Sequence, residues 1–150
     1  MKKRTLFFAL VFVILMAIAT LYFYPMELSD VLGDSSQIYI TITEIGLKDG
    51  LPSITPVGYS DITAEQKNDI LGICSRYAYR RTIATLFSDG SMSGLGDRIL
   101  YFFCGEEGRT IVTVSTTGKI AIHDRVYRMN HAEQLIDQVA QVLEKPVQNG

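Results

Sequence analysis

The chain has 150 residues, 14 Lys/Arg against 16 Asp/Glu, two cysteines and no tryptophan. All three bases of the first 24 residues (Lys2, Lys3, Arg4) precede the apolar run; setting them aside leaves 11 bases against 16 acids, a net charge of −5. An acidic remainder of this kind argues against a nucleic-acid-binding or broadly anionic-lipid-binding surface, which needs clustered positive charge, and one cysteine pair is too few for a disulfide framework.

Lys2-Lys3-Arg4 lead into Thr5–Tyr24, a 20-residue run without charge that Pro25 closes. At ~1.5 Å per residue such a helix spans ~30 Å, the hydrocarbon thickness of a bilayer. Residues 1–24 therefore read as a signal-anchor transmembrane helix, in contact with lipid through residues 5–24. The bases place the N-terminus in the cytoplasm and the following domain outside. The alternative is secretion: Ala17-Ile18-Ala19 matches a signal-peptidase site, with cleavage after Ala19. Against it, the apolar run continues to Tyr24, past the ~7–15 residues of a signal core, and Tyr22 and Tyr24 stand where an interfacial aromatic belt would lie.

Residues 25–37 are polar and read as a stalk before an extracytoplasmic α+β domain over 38–146, with 147–150 as a tail. Ile38-Tyr39-Ile40-Thr41-Ile42-Thr43 alternates strictly, the pattern of a half-buried strand. Residues 48–60, with Gly50, Pro52, Pro56 and Gly58, read as a long connection or a short irregular hairpin. Thr63-Ala64-Glu65-Gln66 is a capping box opening a helix whose apolar stripe is Ile70, Leu71, Cys74 and Tyr77. The β-branched, apolar run Thr82–Phe87 predicts a strand.

Arg98–Cys104 is apolar at every position after the first, which predicts a central strand covered on both faces. Residues 109–115, 119–123 and 125–129 read as further strands, with a tight turn at Thr117-Gly118. Asn130, with Glu133 behind it, is the expected cap of a last helix carrying Leu135, Ile136, Val139, Val142 and Leu143. The fold class is thus α+β: a transmembrane helix, then a mostly antiparallel sheet of about five strands packed with two helices.

Motif by motif, no chemistry is spelled out. Asp89-Gly90-Ser91-Met92-Ser93-Gly94-Leu95-Gly96-Asp97 lacks the glutamate of an EF-hand, the central serine of a nucleophile elbow and the lysine of a phosphate loop. It reads as a mobile connection, with Asp89, Ser91, Ser93 and Asp97 as its candidate ligand or partner contacts. Arg80 and Arg81, closing the run Arg76–Arg81 of bases and tyrosines, form the other candidate, a patch for an acidic partner or lipid headgroup. His123 and His131 lack metal-ligand spacing, so no metal site and no cofactor are expected. Cys74 and Cys104 both face inward by pattern and read either as a disulfide or as two buried thiols.

Gly118-Lys119-Ile120-Ala121-Ile122, then Val126-Tyr127-Arg128-Met129 and an amphipathic terminal helix behind an N-terminal anchor, resemble small membrane-anchored proteins of Gram-positive bacteria to which no chemistry is assigned. That likeness implies the topology alone. The function expected from the residues is a membrane-tethered binding domain for a protein or envelope component. The alternatives are a small envelope hydrolase or transferase using the 89–97 loop, and an accessory subunit of a membrane complex.

Overall fold

In a computed structural model, which describes residues 2–33, 38–48, 51–59, 62–92, 98–104 and 110–144, the leader is one helix, α1 (Lys2–Tyr22). Its apolar side chains stand clear of the domain, and it is long and apolar enough to cross a membrane. Three residues later the chain enters a sheet.

That sheet has eight strands among the described residues, not about five. They are β1 (Met26–Glu27), β2 (Ile38–Lys48), β3 (Leu51–Tyr59), β4 (Ala78–Arg80), β5 (Arg98–Cys104), β6 (Thr110–Ser115), β7 (Lys119–Ile122) and β8 (Arg125–Met129). Their spatial order is β1-β4-β8-β7-β6-β5-β2-β3, with every neighbouring pair antiparallel. Three strands escape the sequence pattern for physical reasons. β1 and β4 have two and three residues, too few to show a period of two. β3 carries Pro52 and Pro56, which a strand tolerates at a sheet edge, where β3 lies.

Three helices pack on one face of the sheet: α2 (Leu28–Leu32), α3 (Ala64–Cys74) and α4 (Ala132–Leu143). Residues opposite in register share a face, so Ile40, Phe102, Val112 and Ile122 form one buried row and Ile42, Leu100, Val114 and Ile120 the next. Against these rows lie Ile70, Ile73 and Cys74 of α3 and Leu135, Ile136 and Val139 of α4. The capping box of α3 is formed as expected: the Gln66 N–H donates to Thr63 Oγ1 at 3.1 Å, and the Thr63 N–H to Gln66 Oε1 at 3.1 Å. The helix ends at Cys74, so Tyr77 is buried beyond it rather than on its stripe. Gln66 Nε2 also donates to the Val142 carbonyl at 3.2 Å, tying α3 to α4.

Four further expectations are corrected. The segment read as a stalk is part of the fold as far as Gly33: Leu28 and Leu32 are fully buried, and the Leu28 N–H donates to the Tyr77 carbonyl at 3.0 Å. A short amphipathic turn between polar residues carries too few apolar positions to reveal itself. Thr82–Phe87 is not a strand but a 3-10 helix, Ile83–Leu86. Thr85 Oγ1 accepts from the Thr82 N–H at 2.9 Å, a local side-chain bond that competes with ladder formation. The cap of α4 is His131, in the left-handed region at φ 59°, rather than Asn130. Finally, β5 is buried on its helix face at Leu100, Phe102 and Cys104, whereas on the other face only Ile99 is buried and Tyr101 and Phe103 are half-buried.

The turn at Thr117-Gly118 is as expected, and its glycine is required. Gly118 has φ +80°, and a Cβ there would stand 2.7 Å from the Met129 carbonyl oxygen. The same carbonyl-rich corner is closed by the Met129 N–H donating to the Gly118 carbonyl at 2.9 Å.

Candidate functional site

Helices cover one face of the sheet; the opposite face follows from the same registers. Tyr39, Phe103 and Ile111 lie in one row across β2, β5 and β6, with Thr41, Tyr101 and Thr113 in the row behind. Strand alternation puts them there: each is the neighbour in sequence of a core residue and must point the other way. The Tyr39 and Phe103 ring centroids are 5.5 Å apart and those of Tyr101 and Phe103 6.3 Å, a continuous aromatic surface. Tyr39 is 41% exposed and Ile111 45%. On β3, Ile54 adds a further exposed apolar side chain to this face.

Gly58 sets the pose of Tyr39. A Cβ on Gly58 would lie 2.1 Å from the Tyr39 hydroxyl oxygen, so the ring rests across the bare backbone of the edge strand. An aromatic ring over an edge glycine shields backbone that would otherwise be open to solvent. Farther along β5, β6 and β7 the same face is covered: Ile99, Ser115 and Ala121 are buried. The half-exposed aromatics are therefore confined to the strand ends that carry Tyr39, Phe103 and Ile111.

The residues singled out in the sequence fall in separate places. Asp89 and Ser91 are exposed, and Asp89 Oδ1 accepts the Ser91 N–H at 2.9 Å, a local turn bond. Ser93 and Asp97 lie outside the described residues. Gly90, at φ +78°, packs against the β7–β8 turn, where a Cβ would stand 3.1 Å from the Asp124 Cα. Arg80 is on β4 and exposed; Arg81 follows it, with its guanidinium 5.4 Å from the centroid of the Tyr22 ring at the end of α1. Among the described residues, no hydrogen bond or ion pair joins Asp89 or Ser91 to Arg80 or Arg81.

Cys74 and Cys104 are free thiols, both buried. Burial pushes Cys74 up to about 12, with the nearby Cys104 adding to the effect, and burial pushes Cys104 up to about 11 against the pull of Lys67. Thiols held in the protonated form are poor nucleophiles and poor metal ligands. Among the described residues, no three His, Cys, Asp or Glu stand together as a metal site would require.

Two shallow hollows of about 370 and 430 Å³ adjoin Asn130 and His131. Arg76, Gln134 and Gln138 line the first, and Arg76 Nη2 already donates to Gln138 Oε1 at 3.3 Å. Thr117, Arg128, His131 and Glu133 are among the residues that line the second. At the middle of α4, Arg98 joins Asp137 and also Glu44, 3.3 Å away, linking β5, β2 and α4; these contacts hold the fold together.

The aromatic face was missed because Tyr101 and Phe103 were read as covered by a second layer. The available signal was Tyr39-x-Thr41-x-Thr43 on the neighbouring strand, a wet pattern on the same face. Compared with protein-family models, curated proteins and solved structures, the chain matches none.

Proposed function

We propose that this chain is a membrane-tethered interaction domain, anchored by α1 with its N-terminus in the cytoplasm, whose outer sheet face docks a protein partner outside. One observation carries the proposal: Tyr39, Tyr101, Phe103 and Ile111 form a half-exposed apolar surface on the face opposite the three helices, with Phe103 stacked on Tyr101 and tilted against Tyr39. Aromatic side chains lose little rotamer entropy and bury much area on contact, so they dominate the centres of protein interfaces. Lys2, Lys3 and Arg4 in the first turn of α1 support the orientation.

A second reading, an accessory subunit of a membrane complex, draws on register. β1 leads away from α1 and pairs antiparallel with β4; carried across the sheet, the strand ends on the side of Arg81 are those of Tyr39, Phe103 and Ile111. A partner on that face would meet the end of the domain that α1 joins, which suits another membrane protein.

The test uses a photo-crosslinking residue at Tyr39 in the full chain, with the same residue at Asp69, exposed on α3, for comparison. A discrete adduct from membranes is expected at 39 and not at 69. Gly58→Ala puts a methyl group into the seat of the side chain at position 39 without touching the core, and about a tenfold loss of adduct is expected, equivalent to ~1.4 kcal/mol. Adducts that form equally at both positions, or that survive Gly58→Ala and Phe103→Ser unchanged, overturn the proposal.

A further inference from the structure

The 3-10 helix Ile83–Leu86 has its polarity inside out. Thr85 is 3% exposed, while Ile83, Leu86 and the following Phe87 are 69%, 53% and 84% exposed. The turn is held in that pose from beneath. Thr85 Oγ1 donates to the Val126 carbonyl at 2.6 Å, and Ser88 Oγ accepts the Val126 N–H at 2.9 Å. The Arg125 guanidinium donates to the Leu86 carbonyl at 3.1 Å and to those of Thr85 and Ser88 at 3.4 Å. β4 pairs only with Arg128 and Met129 of β8, so these side chains take over the bonds that a longer β4 would have made to Val126. Three apolar side chains are thereby fixed pointing away from the protein, the opposite of what water favours.

Register fixes where this turn lies. Met26 and Glu27 pair with Tyr79 and Ala78, so the chain leaving α1 runs beside the chain arriving at Arg81. Phe23–Pro25, the only residues between α1 and β1, reach at most about 10 Å. Arg81 closes the gap by standing over the Tyr22 ring. Arg80 and Arg81 lead into the exposed apolar group and Arg125 binds it from beneath, with Asp89 and Asp124 on the turn side and Glu27 and Asp30 on the side of β1 and α2.

We propose that Ile83, Leu86 and Phe87 insert into the headgroup–acyl boundary of the bilayer that α1 crosses, with Arg80 and Arg81 against lipid phosphates. The inference rests on the reading of α1 as a membrane anchor. Its occupant is the bilayer because the patch is continuous with the end of α1. Apolar side chains flanked by bases are what an interfacial segment requires. A single helix would leave the domain free to swing about Phe23–Pro25; a second contact beside it holds the domain in one orientation, and with it the direction in which the aromatic face looks.

The chain has no tryptophan, so Phe87→Trp introduces a sole indole reporter. The full chain is reconstituted into vesicles of phosphatidylcholine and phosphatidylglycerol with brominated acyl chains, in three single-Trp forms: Phe87→Trp, Phe12→Trp within α1, and Ile54→Trp on β3. The expected result is blue-shifted emission and about twofold or greater quenching at 87, as for a ring ~5–10 Å into the boundary. Position 12 is quenched as well, position 54 is not, and adding Arg80→Glu with Arg81→Glu weakens quenching at 87. Quenching at 12 without quenching at 87, or equal quenching at 87 and 54, overturns the seat and leaves the anchor standing. No quenching at 12 overturns the anchor reading, and the seat with it.

Discussion

Cys74 illustrates how burial alone sets the chemistry of a residue. Its thiol lies between α3 and the sheet, where an ionised sulfur would lose its hydration without gaining a cation, so the folded chain holds the proton up to about pH 12. In the unfolded chain the same thiol ionises near pH 9.0. The folded state thus binds more protons between these values, and the stability this represents is fully present below pH 9 and lost as pH rises toward 12. Urea unfolding followed from pH 8 to pH 11 is expected to show a steeper decline for the wild-type chain than for Cys74→Ala. Equal slopes would mean that the thiol is already accessible to solvent. Cys104, pushed up to about 11, acts in the same sense.

At the scale of elements, local and tertiary signals divide sharply. The capping box at Thr63–Gln66 is a local device: residues three apart in sequence satisfy each other's amides wherever the helix is placed. Thr63→Ala should lower unfolding stability by about 1 kcal/mol in chemical denaturation, with the denaturant slope unchanged. A change below experimental error would show that the Gln66 bond to Val142 holds the helix end unaided. α4 was equally legible, since Leu135, Ile136, Val139, Val142 and Leu143 are all buried at the spacing that marks them. The run Thr82–Phe87 was not. Its β-branched residues have strand propensity, yet Thr82 and Thr85 bond each other and Thr85 bonds β8, which makes a turn in place of a strand. β1 has β4 as its strand partner and β4 lies between β1 and β8, and two or three residues carry no periodicity to read.

For the whole molecule, the attachment of α1 is the decisive arrangement. The segment expected to be a stalk is instead β1 and α2, with Leu28 and Leu32 in the core, so α1 is joined to the sheet almost directly. Cleavage after Ala19 would leave β1 intact, and a released domain would still fold; folding therefore does not discriminate anchor from signal. The mass of the chain extracted from membranes does. An intact leader is expected, and a product beginning at Thr20 would remove both the tether and the proposed seat on the bilayer. The domain is acidic, net −5 once the leader bases are set aside, yet Arg80 and Arg81 directly precede the exposed Ile83, Leu86 and Phe87.

By itself the sequence determined the apolar helix, the α+β class, the β5–β8 meander and the two longer domain helices, because length, alternation and 3.6-residue spacing are written in consecutive residues. Tertiary structure alone decided the eight-strand order, the burial of Leu28 and Leu32 and both exposed surfaces. Tyr101 and Phe103 look identical in sequence to residues sandwiched between two layers, and Ile83 and Leu86 to residues of a buried strand. Whether an apolar side chain is covered depends on what the rest of the chain brings over it, and here the helices all went to one face of the sheet while the turn after β4 was pinned by its hydroxyls.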